Sequence, residues 1–283
     1  MDKTCDLHTH SVYSDGTCTP AQLIALAQRA GVSALVLSDH NTVAGLPLFL
    51  EAAEGSGVEA VPGVEFSTEY LGNELHILAL YIKPCHYQRI NALLQEFLDR
   101  KDRSNFDLVQ RLNAAGIDID YQIIKEKAAG SINRARIAAE MVSLGYSESV
   151  KEAFSQWLSP KRGYYIPAKR PDAYETIRFI KSIGAVAVLA HPFLSLEEEQ
   201  LHQFLPEAVA AGLDAMEVYY STYDREQTEL AMKIAAQYGL LFSGGSDFHG
   251  ENKPDISIGT GRGNLVVPLT FLQALKTRCD FIE

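Results

Sequence analysis

The sequence has little of what marks disulfide-bonded, membrane-spanning or nucleic-acid-coating proteins. Its four cysteines show no CxxC spacing, which argues against a zinc ribbon or a redox pair. Its most apolar stretches, such as GAVAVLA at 184–190, are far shorter than the roughly 18 residues needed to span a bilayer. The formal charge of -11 argues against a broad basic surface that holds long nucleic acid. Any anionic substrate would therefore have to be attracted locally.

Two further absences concern targeting and nucleotide loops. The first residues lack the pattern of a cleaved leader, and cleavage there would remove the histidines at 8 and 10. We therefore expect a cytoplasmic protein without a membrane association, and nothing in the sequence indicates an obligate protein partner. The segment GTGRGN at 259–264 lacks the GxGxxG spacing and precedes LVVPL rather than a helix, which argues against a dinucleotide loop.

What is present is the pattern of a globular α/β protein of 283 residues, 47% of them hydrophobic. Short apolar runs that end in polar residues predict strands, and helical segments lie between them. One such helix, at 19–31, has Thr19 as its predicted N-cap and Pro20 at its first position. The predicted strand runs are 34–40, 59–67, 76–82, 185–192, 215–220 and 240–247. This alternation predicts mainly parallel strands in a barrel or a wound sheet.

Two segments depart from the alternation. Leu71-Gly72-Asn73 separates two strand patterns and predicts a hairpin, which could bring Glu65 and His76 together. Residues 84–165 show helical periodicity and almost no strand signal, with predicted helices at 91–116, 121–130, 134–145 and 150–158. We therefore expect a barrel domain of residues 1–83 and 166–283, and an all-helical insertion of residues 84–165 that acts as a substrate-binding cap.

Histidines and carboxylates collect at the polar ends of the predicted strands. Six of the eight histidines and three carboxylates belong to this group: His8, His10, Asp15, His40, Glu65, His76, His191, Asp247 and His249. In a barrel of alternating strands and helices, the carboxyl ends of the strands meet at one mouth, so these side chains can converge. His76 fits this scheme only through the hairpin.

The number and type of these side chains predict a metal centre. A single histidine at a strand end is more often structural, but in HxH on a strand the two imidazoles share a face and can reach one cation. Six imidazoles and three carboxylates exceed the needs of one tetrahedral ion, which predicts two or three divalent ions, Mn²⁺, Zn²⁺ or Fe²⁺. Such ions activate water and clamp phosphate oxygens, so phosphoester hydrolysis is the leading chemistry.

The motifs HTHSVYSDG, LSDHN, PGVEFS, LAHP and GGSDFHG, in this order, resemble the PHP (polymerase and histidinol phosphatase) family of the amidohydrolase superfamily. The resemblance runs over nearly the whole chain and implies a distorted (β/α)7 barrel. It also implies three ligand groups with Glu65 as a bridge: His8, His10, Glu65 and Asp247; Glu65, His76 and His191; Asp15, His40 and His249. Asp247 is implied to orient a metal-bridging hydroxide as the catalytic residue.

The helical insertion resembles that of the PHP branch acting on nucleotides. That branch usually has Gly-Arg-Pro-His where this sequence has Asn133-Arg134-Ala135-Arg136, so Arg134 matches the family arginine and Arg136 replaces the histidine. A second guanidinium favours a substrate with two phosphates. The further substrate-binding candidates are Lys161, Tyr164 and Tyr220, the tyrosines as stacking partners for a base. Arg162, Lys169 and Arg170 are interpreted as solvated surface charge.

The resemblance therefore implies a phosphatase of small nucleotides, which would remove the 3′-phosphate of a nucleoside 3′,5′-bisphosphate. The first alternative is a 5′-3′ exonuclease acting on short oligonucleotides. The second is another hydrolytic reaction of the amidohydrolase type, such as amide hydrolysis or deamination. The third is a non-enzymatic module in which metals only stabilise the fold.

Overall fold

A computed structural model of the chain describes residues 3–127 and 132–279. Its strands form one mixed sheet that nearly closes into a barrel. Within the described ranges the strands are β1 (Thr4–Asp6), β2 (Ala34–Leu37), β3 (Glu59–Tyr70), β4 (Asn73–Leu80), β5 (Val186–Leu189), β6 (Ala215–Tyr220), β7 (Leu241–Gly245) and β8 (Val267–Pro268). Their order across the sheet is β7-β6-β5-β4-β3-β2-β1-β8. The predicted α/β barrel is confirmed, with an added eighth strand of two residues that was not predicted.

Helices connect most of the strands. In the same ranges they are α1 (Pro20–Ala30), α2 (Leu46–Ala53), α3 (Tyr87–Ala114), α4 (Tyr121–Lys127), α5 (Arg134–Ser143), α6 (Val150–Ala153), α7 (Ala173–Ser182), α8 (Glu198–Ala211), α9 (Arg225–Gln237) and α10 (Leu269–Lys276). A π-helical turn at Phe154–Leu158 continues α6, where one longer helix was predicted. The end of the helix predicted at 121–130 lies outside the described residues after 127. None of the described helices is both long and apolar enough to cross a membrane.

The boundaries of α1 show how the local sequence sets an element. The Thr19 hydroxyl accepts a hydrogen bond from Gln22 N–H, and the Gln22 side chain accepts one from Thr19 N–H, which forms a capping box. Pro20 opens the helix with a φ that suits it. Gly31 ends the helix in the left-handed conformation, with φ of 70°. The predicted start and end of this helix are confirmed.

Strand direction determines which side chains reach the mouth of the barrel. Strands β1, β2 and β3 are parallel, as are β5, β6 and β7, whereas β4 is antiparallel to both of its neighbours. Residues just after β1 bond to β7 and beyond it, as in Leu7 N–H to the Gly244 carbonyl at 3.2 Å and Asp247 N–H to the His8 carbonyl at 2.9 Å. These bonds draw the two ends of the sheet together, so the carboxyl ends of the parallel strands surround one mouth.

The predicted hairpin between β3 and β4 is confirmed. Leu71 and Gly72 both have positive φ, 49° and 79°, and Tyr70 pairs with Asn73 across the turn. Two successive positive φ values give a tight two-residue turn whose twist matches that of the strands. Because β4 runs in reverse, its first residues lie beside the carboxyl ends of the parallel strands. This direction carries His76 to the mouth of the barrel.

The chain folds into two compact units, one of residues 1–91 and 170–283 and the other of residues 92–169. We call them the barrel unit and the helical unit. The barrel unit has an apolar core built from alternate strand residues, including Val36, Leu78 and Val188. The helical unit has a core of its own, in which Leu112, Ile137 and other apolar side chains pack together. Each unit therefore has the separate hydrophobic core that a domain requires.

Candidate metal centre

Glu65 on β3 is fully buried, and the ring nitrogens of five histidines face its two oxygens. Its Oε1 lies 2.7 Å from His76 Nδ1 and 3.1 Å from His191 Nε2. Its Oε2 lies 3.1 to 3.2 Å from a ring nitrogen of each of the other three, which are His8, His10 and His40. One carboxylate thus stands at the centre of the cluster, as a bridging ligand would.

His8 and His10 present the same ring nitrogen to one point. Their Nε2 atoms lie only 3.0 Å apart. Asp247 Oδ1 is 3.6 Å from the first of these nitrogens and 3.3 Å from the second. All three side chains are at least nine-tenths buried, and their ligand atoms lie within 4.8 Å of one another. This geometry agrees with the expectation that HxH places two imidazoles on one cation.

A second grouping forms around Asp15. Its Oδ1 lies 3.3 Å from His249 Nε2 and 3.8 Å from His10 Nδ1, and its Oδ2 lies 3.9 Å from His40 Nε2. The other ring nitrogen of His249, Nδ1, is 2.8 Å from the Asp247 carbonyl oxygen and can donate to it. When Nδ1 donates this bond, the neutral imidazole of His249 has its lone pair on Nε2, which faces Asp15 and suits a metal ligand.

Several of the facing atoms have no hydrogen-bond partner among the described residues, although they are buried. These atoms are Asp15 Oδ1, His40 Nδ1, Glu65 Oε2 and His76 Nδ1. Buried polar atoms are rarely left unpaired, because an unmade hydrogen bond costs about 1–3 kcal/mol. Converging imidazole nitrogens and carboxylate oxygens suit divalent cations. The residues present therefore fit a metal centre.

The ionisation of the cluster follows from burial set against close opposite charge. Burial alone would raise the pKa of Glu65, but the imidazoles of His40, His76 and His8 outweigh it and hold that pKa well below its ordinary value. Burial lowers the pKa of His40 to about 3, although Glu65 and Asp15 oppose the shift. Burial would also lower the pKa of His10 and of His76, but the contacts of His10 with Asp247 and Glu65 and the charge of Glu65 beside His76 outweigh it and raise these pKa values to about 9 and about 10. Binding of a cation would release the protons of these imidazoles.

Comparison with known proteins places this constellation in a family. The PHP domain profile matches residues 6–167, which is more than half of the chain. The chain belongs to the PHP family. The resemblance inferred from the sequence motifs is confirmed.

Three relatives narrow the chemistry of this PHP protein. A 5′-3′ exoribonuclease of Haemophilus influenzae is 32% identical over 88% of this chain and 91% of its own length. A 3′,5′-nucleoside bisphosphate phosphatase of Chromobacterium violaceum is 28% identical over 89% of this chain and 90% of its own length. A crystal structure from Bifidobacterium adolescentis, assigned as a metal-dependent phosphoesterase, superposes with a TM-score of 0.86 at 30% identity and covers 99% of this chain and 98% of its own. This PHP protein is a metal-dependent phosphoesterase.

The phosphoesterase holds Asp247 in a defined orientation. Its Oδ2 accepts hydrogen bonds from the Tyr220 hydroxyl at 2.7 Å and from Lys253 Nζ at 2.6 Å. Its backbone has a positive φ of 56°, and neighbouring His191 has one of 27°. Such conformations cost energy in non-glycine residues and gather at functional sites. Oδ2 of Asp247 thus accepts hydrogen bonds from two donors, while Oδ1 faces the histidines.

Sequence reasoning missed Glu217 on β6, which is fully buried beside the cluster. His8 Nδ1 lies 2.9 Å from its Oε1, and His191 N–H donates to its Oε2 at 2.8 Å. The available signal was a single acidic residue inside the apolar run AMEVYY. A charged side chain in a buried strand is rare unless it is paired, so it should have been treated as a candidate.

Asp39 and Arg170 both make polar contacts beside the cluster. Asp39, directly before His40, accepts hydrogen bonds from Ser11 N–H at 2.7 Å and from the Ser14 hydroxyl at 2.6 Å. The interpretation of Arg170 as solvated charge is wrong. Its side chain is 16% exposed and bonds Glu74 at 2.6 Å, and Glu74 in turn lies 3.3 Å from His76 Nε2. The sequence could not show this pairing because the two residues are far apart along the chain.

The substrate-binding candidates fall in both units. Tyr220 belongs to the barrel unit, where it is almost buried against Asp247. The others are in the helical unit: Asn133, Arg134, Arg136, Lys161 and Tyr164. Asn133 caps α5 by accepting from Arg136 N–H. The guanidinium of Arg134 lies 4.3 Å from the centre of the Tyr165 ring and donates to the Leu158 carbonyl at 3.2 Å.

Lys161 and Tyr164 lie close together in the chain, on and after a short 3₁₀ turn. Lys161 is exposed. Tyr164 is partly buried, with its ring 5.5 Å from that of Trp157, and its carbonyl accepts from Arg111 at 2.8 Å. Their roles in substrate binding stay predictions.

Proposed function

We propose that this PHP phosphoesterase removes the 3′-phosphate from a nucleoside 3′,5′-bisphosphate, giving a nucleoside 5′-monophosphate and inorganic phosphate. The observation that carries the proposal is the gathering of imidazoles and carboxylates around buried Glu65. We propose that this cluster binds two or three divalent ions, Mn²⁺, Zn²⁺ or Fe²⁺. When bound, such ions make hydroxide available from water near neutral pH and neutralise the oxygens of a phosphate.

The ligand groups that we propose follow the contacts of the cluster, and they are His8, His10, Glu65 and Asp247; Glu65, His76 and His191; and Asp15, His40 and His249. Glu65 would belong to two of them because each of its oxygens faces a different set of histidines. His10 can also contribute to the third ligand group, because its Nδ1 lies 3.8 Å from Asp15 Oδ1.

We assign to Asp247 the orientation of the attacking oxygen nucleophile. Support comes from the fixed state of this side chain: the Tyr220 hydroxyl and the Lys253 ammonium occupy Oδ2, so rotation is hindered and Oδ1 keeps its direction. A carboxylate held in this way loses little orientational freedom when the substrate arrives. Water and the phosphate ester then become the nucleoside hydroxyl and inorganic phosphate.

Recognition of the second phosphate is assigned to the helical unit, through Arg134 and Arg136. This unit has 12 Lys and Arg against 10 Asp and Glu, whereas the rest of the chain has 13 against 26. It is therefore the part of the chain whose charge favours an anion. The contact of the Arg134 guanidinium with Tyr165 and with the Leu158 carbonyl limits its freedom, which prepares it for a fixed phosphate.

A second candidate function is 5′-3′ exonuclease activity on short oligonucleotides, which one specific observation favours. A cleft of about 250 Å³ in the helical unit is lined by Arg100, Arg103, Arg111 and Lys169, with Asp107 as its acidic member. A basic cleft of this kind could follow a nucleic-acid backbone beyond the scissile bond. The exoribonuclease relative makes this the main rival.

The test compares the two substrate classes on the same Mn²⁺-loaded enzyme. We would measure kcat/KM for adenosine 3′,5′-bisphosphate, by release of inorganic phosphate, and for 5′-phosphorylated tri- to pentanucleotides, by release of 5′-mononucleotides. The proposal expects the higher kcat/KM for the bisphosphate. Release of mononucleotides without any phosphate from the bisphosphate would replace it with the exonuclease. The Glu65→Gln variant serves as a control for contaminating phosphatases.

A further inference from the structure

We propose that Glu217 is a positioning residue that fixes the tautomer of His8 and the place of His191 in the metal centre. The two carboxylate oxygens divide between the two histidines. Oε1 lies 2.9 Å from His8 Nδ1, and Oε2 accepts a hydrogen bond from the backbone N–H of His191 at 2.8 Å. The side chain is fully buried, so no bulk water competes for either oxygen.

The chemistry of the two partners makes a carboxylate necessary at this position. The backbone N–H of His191 is a donor and cannot become anything else. A carboxylate has only acceptors, so it can receive both this N–H and a proton on His8 Nδ1. With its proton on Nδ1, the neutral imidazole of His8 has a lone pair on Nε2, which is the nitrogen that faces Glu65, His10 and Asp247.

A neutral amide at residue 217 would reverse this arrangement. Its single oxygen would have to face the His191 N–H, because turning its NH₂ group there would set two donors against each other. The NH₂ group would then point at His8 Nδ1 and require that nitrogen to accept. His8 would carry its proton on Nε2 and could no longer bind a cation through it.

Glu217 also joins two of the proposed ligand groups, since His8 belongs to one and His191 to another. One buried side chain would thus set both histidines at once. The backbone of His191 is strained, with φ of 27°, and the bond from its N–H to Glu217 helps to hold that conformation. This inference rests on the proposed ligand groups but not on the identity of the substrate, because it concerns metal binding.

The test is the isosteric Glu217→Gln variant, read by metal binding rather than by turnover. Metal-free protein would be titrated with Zn²⁺ in a calorimeter, and ¹⁵N NMR of the Zn²⁺-loaded protein would report the protonated nitrogen of His8. We expect affinity for at least one ion to fall about 10- to 100-fold, as for other residues that support metal ligands. In the wild type the proton should be on Nδ1, and in the variant on Nε2.

Asp214→Asn is the matched control. Asp214 is also a nearly buried carboxylate beside β6 that accepts from a backbone N–H of β5, that of Ala187 at 3.0 Å, and it pairs with Lys181 instead of a histidine. Its loss should lower the melting temperature and leave Zn²⁺ affinity within about threefold. Equal losses of affinity in the two variants would overturn the proposal, as would wild-type affinity in Glu217→Gln.

Glu217→Asp keeps the test decisive if the glutamine variant does not fold. Aspartate is too short for both contacts but has no donor, so His8 can keep its proton on Nδ1. We expect Glu217→Asp to lose less Zn²⁺ affinity than Glu217→Gln. If the glutamine variant does not fold, the expected result is that Zn²⁺-loaded Glu217→Asp carries the His8 proton on Nδ1. A His8 proton on Nε2 in the aspartate variant would contradict the proposed control of the tautomer.

Discussion

The barrel unit and the helical unit bury different kinds of side chain. Among the described residues, the buried polar groups of the helical unit are Asn105 and Ser147, neither of them charged. The barrel unit buries five carboxylates together with four histidines of the cluster: Asp6, Asp39, Glu65, Glu217, Asp247, His8, His10, His191 and His249. Burying charge is expensive unless it is paired or bound to a metal. The barrel unit therefore concentrates its buried charge in the candidate metal centre, whereas the helical unit has an apolar core and carries its charges outside it.

The largest effect on the barrel unit is expected for Glu65→Gln, because this substitution removes the carboxylate that five imidazoles share. We expect loss of bound metal and a fall in kcat/KM of more than about 100-fold, beyond the effect of a supporting residue. Metal content by elemental analysis and phosphatase assays would check it. Glu69→Gln, on the same strand but outside the cluster, should retain both metal and activity. Full metal content in Glu65→Gln would refute the bridging role.

The next largest effect is expected for Asp247→Asn, which tests the catalytic part of the barrel unit. Asparagine tolerates the positive φ at this position, so the backbone should be kept. Without the negative charge, we expect kcat to fall about 10²- to 10³-fold with little change in KM for the bisphosphate. Steady-state kinetics at saturating Mn²⁺ would measure this. A rise in KM at unchanged kcat would show that Asp247 binds substrate instead.

The two units also differ in how far the sequence could predict them. For the barrel unit, periodicity and capping predicted six of the eight strands and α1, and the hairpin at 71–73 brings His76 to Glu65 as expected. The HxH motif can be recognised in the sequence as a candidate metal site, because few structural roles need two imidazoles so close together. Glu217 was missed because its partners, His8 and the His191 backbone, are remote in sequence and only the closed sheet joins them.

For the helical unit, periodicity predicted the helices but not what their polar side chains touch. The π-helical turn after α6 has no distinct periodicity in so short a segment, so it was predicted as plain helix. Contacts of Arg134 with Tyr165 and the Leu158 carbonyl depend on how the helices pack. A surface arginine can stack, pair with a carboxylate or bind a ligand with the same local sequence, so substrate contacts need experiments.

Arg134→Ala tests recognition by the helical unit and should have an intermediate effect. A charge-assisted hydrogen bond is worth about 1.5–3 kcal/mol, so we expect KM for the bisphosphate to rise about 10- to 100-fold while kcat changes little. Arg178→Ala, an exposed arginine of the barrel unit paired with Glu207, is the control. Because Arg134 also packs on Tyr165, the melting temperature should be measured. A fall in kcat at unchanged KM would contradict the role.

The smallest effect is expected for Arg103→Ala in the basic cleft. This variant tests whether the helical unit contributes to the binding of oligonucleotides. If the cleft holds the backbone of an oligonucleotide, KM for pentanucleotides should rise a few-fold, and the salt dependence of log KM should weaken by about 0.7, the contribution of one phosphate contact on a single strand. Turnover of the bisphosphate should not change, because we assign its two phosphates to the metal centre and to Arg134 and Arg136. Equal effects on both substrates would mean that the cleft supports the fold of the helical unit. An effect confined to oligonucleotides would instead show that the helical unit discriminates between substrates of different length.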